Sequence, residues 1–347
     1  MRVFQVENYL PANARAVGSI HFVSSGAQII AHSGFFTQRI CHAPRTIHFL
    51  DIRSDSVRKE ELDQHWYDPV TSPDGRFTAA LAGDLRLREL WANDSGRWFR
   101  LNKRNDSPVW LGFAPDGNLY AAAQRDERPR RAAQAHLFRV EPEHAIREFD
   151  RQDALKTRLF PDSPALIAHG ILERVGRIPT LLLRGAPPAF TADSQILAVW
   201  SQSGPVLILD ANNGRTIHDV PWTGRAIRDR FIRHCTHRLA LSANGERIAL
   251  IGGGLLVCHR LDGKSKPWRT KKPIGYVTGA VFHPDGRTLL VVDRNGQAFR
   301  LDVAIGKTVA AWDWKLGMLL CVAVSPDGMV AAAGGEGGNV VLWDLDE

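Results

Sequence analysis

The sequence predicts an all-β chain built from one repeated four-stranded unit. Three observations predict it. A short turn pattern of the S-P-D-G kind recurs along all 347 residues, each time between two apolar runs. A further strand follows each such hairpin and ends in an apolar residue and then usually Asp. The turns recur at a mean spacing of about 43 residues, the period of a propeller blade. Together they point to a single closed β-propeller over residues 1–347.

Each turn has a physical reason. Pro presets φ at the first central position, Asp bonds back to the local backbone, and Gly accepts a positive φ. The turns centre on Gly75, Gly117, Ser194, Gly245, Gly286 and Gly328, with weaker copies at Gly26 and Ser163. The flanking Val, Ile, Leu, Phe and Ala runs read as strands buried on both faces. The strands that follow close at Asp51, Trp91, Glu141, Asp210, Asp262, Asp302 and Asp344. Short Gly-rich turns often come next, and no amphipathic helical segment competes with the strand pattern.

The S-P-D-G turns and the Trp343-Asp344 ending resemble the WD-repeat β-propeller family. The resemblance covers essentially the whole chain and is weakest around residues 150–188. Full repeats of that family carry a Gly-His dipeptide before the first strand, and its His joins a hydrogen-bond network with Trp, Ser or Thr, and Asp. No Gly-His dipeptide occurs here. Trp closes the third strand only at Trp91 and Trp343, and Leu50, Leu209, Leu261 and Leu301 replace it elsewhere. The repeats are therefore degenerate, and apolar burial between blades has to carry the stability.

Eight blades are favoured over seven if the Ser163 turn is counted. Residues 150–188 would then form an irregular or short blade, with the segment ILERVGRIPTLLLRG supplying two short strands. The last blade shows three strands and ends at Leu345. An open edge there would be an aggregation hazard. The run Arg2 to Asn8, within residues 1–10, is expected to close the ring as the outer strand of that blade.

Lys+Arg number 44, of which 35 are arginine, and the formal net charge is +7. The charges are spread out, with no block of five or six of one sign. Cys41, Cys235, Cys258 and Cys321 are far apart and form no C-x-x-C pair, which fits free thiols in a reducing, cytoplasmic setting. Glu7, Pro11 and Arg15 interrupt any signal-peptide core. No run reaches the ~18 to 20 apolar residues of a membrane span.

Chemical motifs are scarce. Gly252-Gly253-Gly254 and Gly263-Lys264-Ser265 do not make a phosphate loop, because Cys258 stands where the first P-loop glycine belongs. Gly334-Gly335-Glu336-Gly337-Gly338 reads as a turn. His234, Cys235 and His237, and the pair Cys258-His259, are metal-ligand types but too few for a zinc site. No G-x-S-x-G elbow occurs. No catalytic residue, metal or cofactor is expected.

The loops carry more. In the resembling family, loops between second and third strands and loops between blades share one face. Arg128, Arg130 and Arg131 fall in a loop of the first kind, and Arg225, Arg228, Arg230 and Arg233 in one of the second. With Trp222 they form the expected partner contact set, since Arg suits bidentate oxyanion contacts. Lys264, Lys266, Arg269, Lys271 and Lys272 form a third basic stretch on the opposite rim or an outer strand. The expected function is a non-enzymatic scaffold docking partner proteins or acidic peptides. A nucleic-acid-associated propeller, binding phosphates through the basic face, is the alternative. A propeller enzyme with a site in the central channel is a third reading.

Overall fold

Turn chemistry sets the blades. The structure, a computed structural model, describes residues 1–6, 15–23, 25–35, 43–61, 66–82, 87–95, 97–100, 107–124, 135–154, 173–178, 180, 182, 186–202, 204–222, 238–270 and 274–346. Seven turn centres lie in the left-handed region: Gly26 (φ 68°), Gly75 (74°), Gly117 (88°), Ser194 (60°), Gly245 (69°), Gly286 (69°) and Gly328 (77°). Ser163 lies outside the described residues. In the Ser72 turn, the Gly75 N–H donates to the Ser72 carbonyl at 2.9 Å. The Ser72 hydroxyl donates to Asp74 Oδ1 at 2.6 Å and accepts the Phe77 N–H at 2.9 Å. Asp74 also accepts the Arg76 N–H at 3.0 Å. The same bonds recur around Thr191 and Asp193, Ser242 and Asn244, and Ser325 and Asp327. Two of these turns carry Ala where the others have Pro, so the hydroxyl and the Asx side chain are what the turn requires.

The first strand, β1 (Arg2–Gln5), precedes blade 1, which is β2 (Arg15–Phe22), β3 (Gln28–Phe35), β4 (Ala43–Asp51) and β5 (Ser56–Glu61). Blade 2 is β6 (Trp66–Thr71), β7 (Phe77–Ala82), β8 (Leu87–Ala92) and β9 (Arg97–Arg100). Blade 3 is β10 (Ser107–Phe113), β11 (Leu119–Gln124), β12 (Ala135–Val140) and β13 (Glu173–Ile178), with α1 (Pro142–Ala154) between its last two strands. Blade 4 is β14 (Ala189–Phe190), β15 (Ile196–Trp200), β16 (Val206–Asp210) and β17 (Thr216–Val220). Blade 5 is β18 (Arg238–Leu241), β19 (Arg247–Gly252), β20 (Leu255–Arg260) and β21 (Trp268–Arg269). Blade 6 is β22 (Val277–Phe282), β23 (Thr288–Asp293), β24 (Gln297–Asp302) and β25 (Thr308–Asp313). Blade 7 joins β26 (Leu319–Val324), β27 (Val330–Gly335) and β28 (Asn339–Asp344) to β1. All the pairings are antiparallel, and the fold class is a seven-bladed β-propeller.

Seven blades, not eight, is a correction, and its cause lies in blade 3. Pro142 opens α1, where its missing N–H costs nothing, and Glu143 favours the positive end of the helix. The helix runs to Ala154, and residues 155–172 lie outside the described residues. The chain then returns as β13, which pairs with β12 from Ala135↔Ile178 to Arg139↔Glu173. ERVGRI is thus one outer strand rather than half of a new blade. The long step from Gly117 to Ser194 holds an insertion between the third and fourth strands of a single blade.

The chain divides into two compact units, Trp66–Pro221 and Met1–His65 with Trp222–Glu347. In the first unit, Phe77, Leu81 and Leu90 of blade 2 pack with Leu111, Leu119 and Phe138 of blade 3, and Ala145 of α1 joins them. Between blades 3 and 4, Trp110 and Tyr120 pack with Leu197, Val199 and Leu209. Asp116 N–H donates to Ser194 Oγ at 3.0 Å and ties the two blade turns together.

In the second unit, β1 pairs with β28 in the register Arg2↔Leu342 to Gln5↔Asn339. The closing strand is where the sequence put it, over Arg2–Gln5. Phe4 and Val6 are buried with Val17, Ile20 and Leu50 of blade 1 and Ala332 and Val340 of blade 7. Three arginines repeat one device. Arg247 Nη1 donates to the Val303 carbonyl at 3.2 Å, Arg300 Nη1 to Leu345 at 2.9 Å and Arg2 Nη1 to Ile52 at 2.6 Å. Each acceptor directly follows the Asp that ends a third strand, and each donor belongs to the preceding blade. Charged donors make such bonds worth about 1.5 to 3 kcal/mol where buried and less where exposed, as at Arg2.

Candidate partner interface

The sequence-predicted arginines fall on both sides of known strands. Residues 125–134, with Arg128, Arg130 and Arg131, lie between β11 and β12, the second and third strands of blade 3. Residues 223–237, with Arg225, Arg228, Arg230 and Arg233, lie between β17 of blade 4 and β18 of blade 5. All seven arginines lie outside the described residues. Trp222 is described and half-buried. Its ring lies against Gly252, where an added Cβ would come within 2.9 Å of Cζ2. Trp110 and Trp200 are core residues, while the Trp66 and Trp98 side chains lie outside the described ones.

The remaining motif candidates resolve into structure. Gly253 and Gly254, at φ 58° and 78°, form the turn between β19 and β20. Gly337 and Gly338 do the same before β28. Cys258 and Cys321 are buried free thiols, and burial pushes both up to about 12. Cys41, Cys235, His234 and His237 lie outside the described residues. Among the described residues, no group of three or more His, Cys, Asp or Glu could hold a metal.

A buried pair that the sequence did not signal lies in blade 1. Ser33 Oγ and His48 Nε2 are 2.6 Å apart, both essentially without solvent exposure. The pairing of β3 with β4 places them two residues apart in register, as diagonal neighbours on one face of the sheet, since Ser33 faces Thr46 and His48 faces Ala31. Burial lowers the His48 pKa from 6.5 to about 4, helped by repulsion from Lys59 opposite it on β5. A neutral imidazole beside a hydroxyl has the atoms of a nucleophile and base, but no substrate reaches a pair packed in the core. The pair joins Ser33 Oγ to one ring nitrogen of His48, while the buried Nδ1 has no hydrogen-bond partner among the described residues.

The family's hydrogen-bond network is only partly present. Ala331 faces Trp343 across the sheet, so no hydroxyl stands at that position. Trp343 Nε1 is buried without a hydrogen-bond partner among the described residues. Its ring is held instead by Trp314 and Trp312, with centroids 4.7 Å and 5.6 Å away. In blade 6, the fully buried Asp293 keeps the acceptor role. It takes the Gly275 N–H at 3.0 Å on Oδ2 and the Asn295 N–H at 2.9 Å on Oδ1.

The third basic stretch is better defined. Lys264 and Lys266 lie in the exposed turn before β21, and Arg269 is on that strand. Lys271 and Lys272 lie outside the described residues. Trp268 anchors the stretch to blade 6, its Nε1 donating to the Val303 carbonyl at 2.8 Å.

The family model for the WD domain, G-beta repeat, matches residues 314–344. The match begins at Trp314 and ends at Asp344, so it spans the Trp314 and Trp343 stack and the three strands β26, β27 and β28. A search of curated proteins finds no match to the chain. One WD repeat in sequence and seven four-stranded blades in structure are consistent with the WD-repeat family.

Proposed function

We propose that the protein is a non-enzymatic scaffold that docks partner proteins or acidic peptides through loops of its blades. The WD repeat at residues 314–344 within seven blades carries the reading, because propellers of this kind generally mediate protein interactions. Rigid sheets with long connecting loops suit that role. The partner contact set proposed is Arg128, Arg130, Arg131, Arg225, Arg228, Arg230 and Arg233, with Trp222 beside the second loop. Buried, unbridged Cys258 and Cys321 support a reducing, cytoplasmic setting. No helix among the described residues is long and apolar enough to cross a membrane.

Affinity purification from the native cell tests the proposal. Proteins recovered with the wild type should be lost when the loop arginines are changed to Glu. An unchanged partner set would remove these arginines from the interface. Recovery that disappears on nuclease treatment would favour the nucleic-acid reading instead.

A further inference from the structure

We infer that the turns of blades 5 and 6 form a docking site for an extended acidic segment of a partner protein, with one apolar residue of that segment seated on Ile305. The inference deepens the scaffold reading and rests on it, but uses none of the loop arginines.

The outer strand β21 is only two residues long, and the preceding turn, residues 262–267, is exposed. Trp268 fixes that turn against its neighbour. Besides its bond to Val303, its ring covers Gly306, where an added Cβ would lie 2.5 Å from Cε3. The two turns therefore meet at one pinned contact. Lys264, Lys266 and Arg269 flank Trp268 along the chain in blade 5; in blade 6 Lys307 follows Gly306, and the Arg287 carbonyl accepts the Val303 N–H at 2.9 Å. All five are exposed.

The nearby carboxylates Asp262, Asp285, Asp302 and Glu246 form no ion pair with these cations. Asp262 is paired with Arg260 at 2.9 Å. Asp302 Oδ1 accepts the N–H groups of Ala304 and Ile305 at 2.8 Å and 3.1 Å. Glu246 stands exposed beside the first turn, its carbonyl accepting the Leu261 N–H at 2.8 Å. None of the five cations has a carboxylate partner among the described residues. Among them stands Ile305, 66% exposed and held in place by the Asp302 bond.

Charge complementarity identifies the occupant. Unpaired exposed cations and one exposed apolar side chain on the same pair of turns fit an acidic segment with one anchor residue. Among the described residues of these turns the one aromatic ring, Trp268, is committed to Gly306 and to the Val303 carbonyl, which suits it poorly to base stacking. Ile305 is the one large apolar side chain strongly exposed on these two turns, whereas a bilayer-inserting surface presents a broad apolar face.

The probe is a fluorescein-labelled nonapeptide of Asp and Glu with a central Leu, titrated by anisotropy against the full chain. A Lys-for-acid version, single-stranded RNA and phosphatidylserine vesicles serve as competitors. The wild type should bind the acidic probe. The triple variant Lys264→Glu, Lys266→Glu, Lys307→Glu should weaken it at least about tenfold and Ile305→Asp about fivefold. Melting temperatures should not change, because every altered side chain is exposed. The variant Arg228→Glu, Arg230→Glu should bind as the wild type does. No binding, equal binding by the wild type and both rim variants, or displacement by RNA or vesicles in preference to peptide would overturn the site. Loss only in the loop variant would also overturn it, while leaving the scaffold reading intact.

Discussion

His48 makes the stability of blade 1 depend on pH. In the folded chain its imidazole is buried against Ser33 and titrates at about 4, whereas an unfolded chain titrates it near 6.5. Between those values the unfolded state binds a proton that the folded state refuses. Stability is therefore full above pH 6.5 and falls as the pH drops toward 4. At about 1.4 kcal/mol per pH step, the loss approaches about 3 kcal/mol. The assay is urea unfolding from pH 7.5 to 4.5, compared between the wild type and His48→Gln, which can hydrogen-bond to Ser33 without titrating. His259 is shifted downward by burial too, but it is present in both proteins and cancels in the difference. The variant should be less stable at pH 7.5 and should lose the difference as the pH falls. Parallel profiles for the two proteins across this range would refute the reasoning.

Phe4→Ala removes a buried ring at the closing strand and should cost about 3 to 5 kcal/mol, read as a fall of roughly 4 to 7 °C in melting temperature. An unchanged melting curve would mean that β1 does not close blade 7. Gly286 has no atom within 4 Å of an added Cβ, so Gly286→Ala introduces backbone strain alone, and a loss of about 1 kcal/mol is expected in chemical denaturation. Arg300→Ala removes the bonds to Leu345 and Thr288 and should cost about 1 to 3 kcal/mol, while Arg300→Lys should recover only part of that. Cys258 and Cys321 should resist a thiol reagent in the native state and react on unfolding, with fast native labelling of either by mass spectrometry contradicting their burial.

What was legible in the sequence was what the backbone demands locally. A left-handed turn needs Gly or a tolerant residue, so Gly26, Gly75, Gly117, Ser194, Gly245, Gly286 and Gly328 could be found by eye. The closing strand was legible by subtraction, because blade 7 lacked a fourth strand. The blade number was not, because a turn-like string at Ser163 lies in the insertion of blade 3. The signal that could have found α1 is Pro142-Glu143 followed by Ala145, Ile146 and Phe149 at helical spacing. The Ser33 and His48 pair had no signal, because it depends on the register between two strands. The same holds for Trp268 over Gly306, which joins turns from different blades.

That distinction changes how the net charge of +7 is to be read. Arg2, Arg247 and Arg300 each bond a carbonyl of the next blade, so part of the arginine excess holds sheets together whatever the protein binds. Arg76 reaches Glu143 of α1, and Arg139 reaches Glu173 of β13, in the same structural sense. Net charge therefore cannot locate a functional surface in this chain. What can is the set of cations left over once those bonds are assigned. On the adjoining turns of blades 5 and 6 these include Lys264, Lys266, Arg269, Arg287 and Lys307. Three of the five are lysines in a chain with few of them, and none has a carboxylate partner among the described residues. Lysine's flexible stem suits it poorly to the fixed bonds the arginines make between blades and well to an exposed surface awaiting an acidic partner.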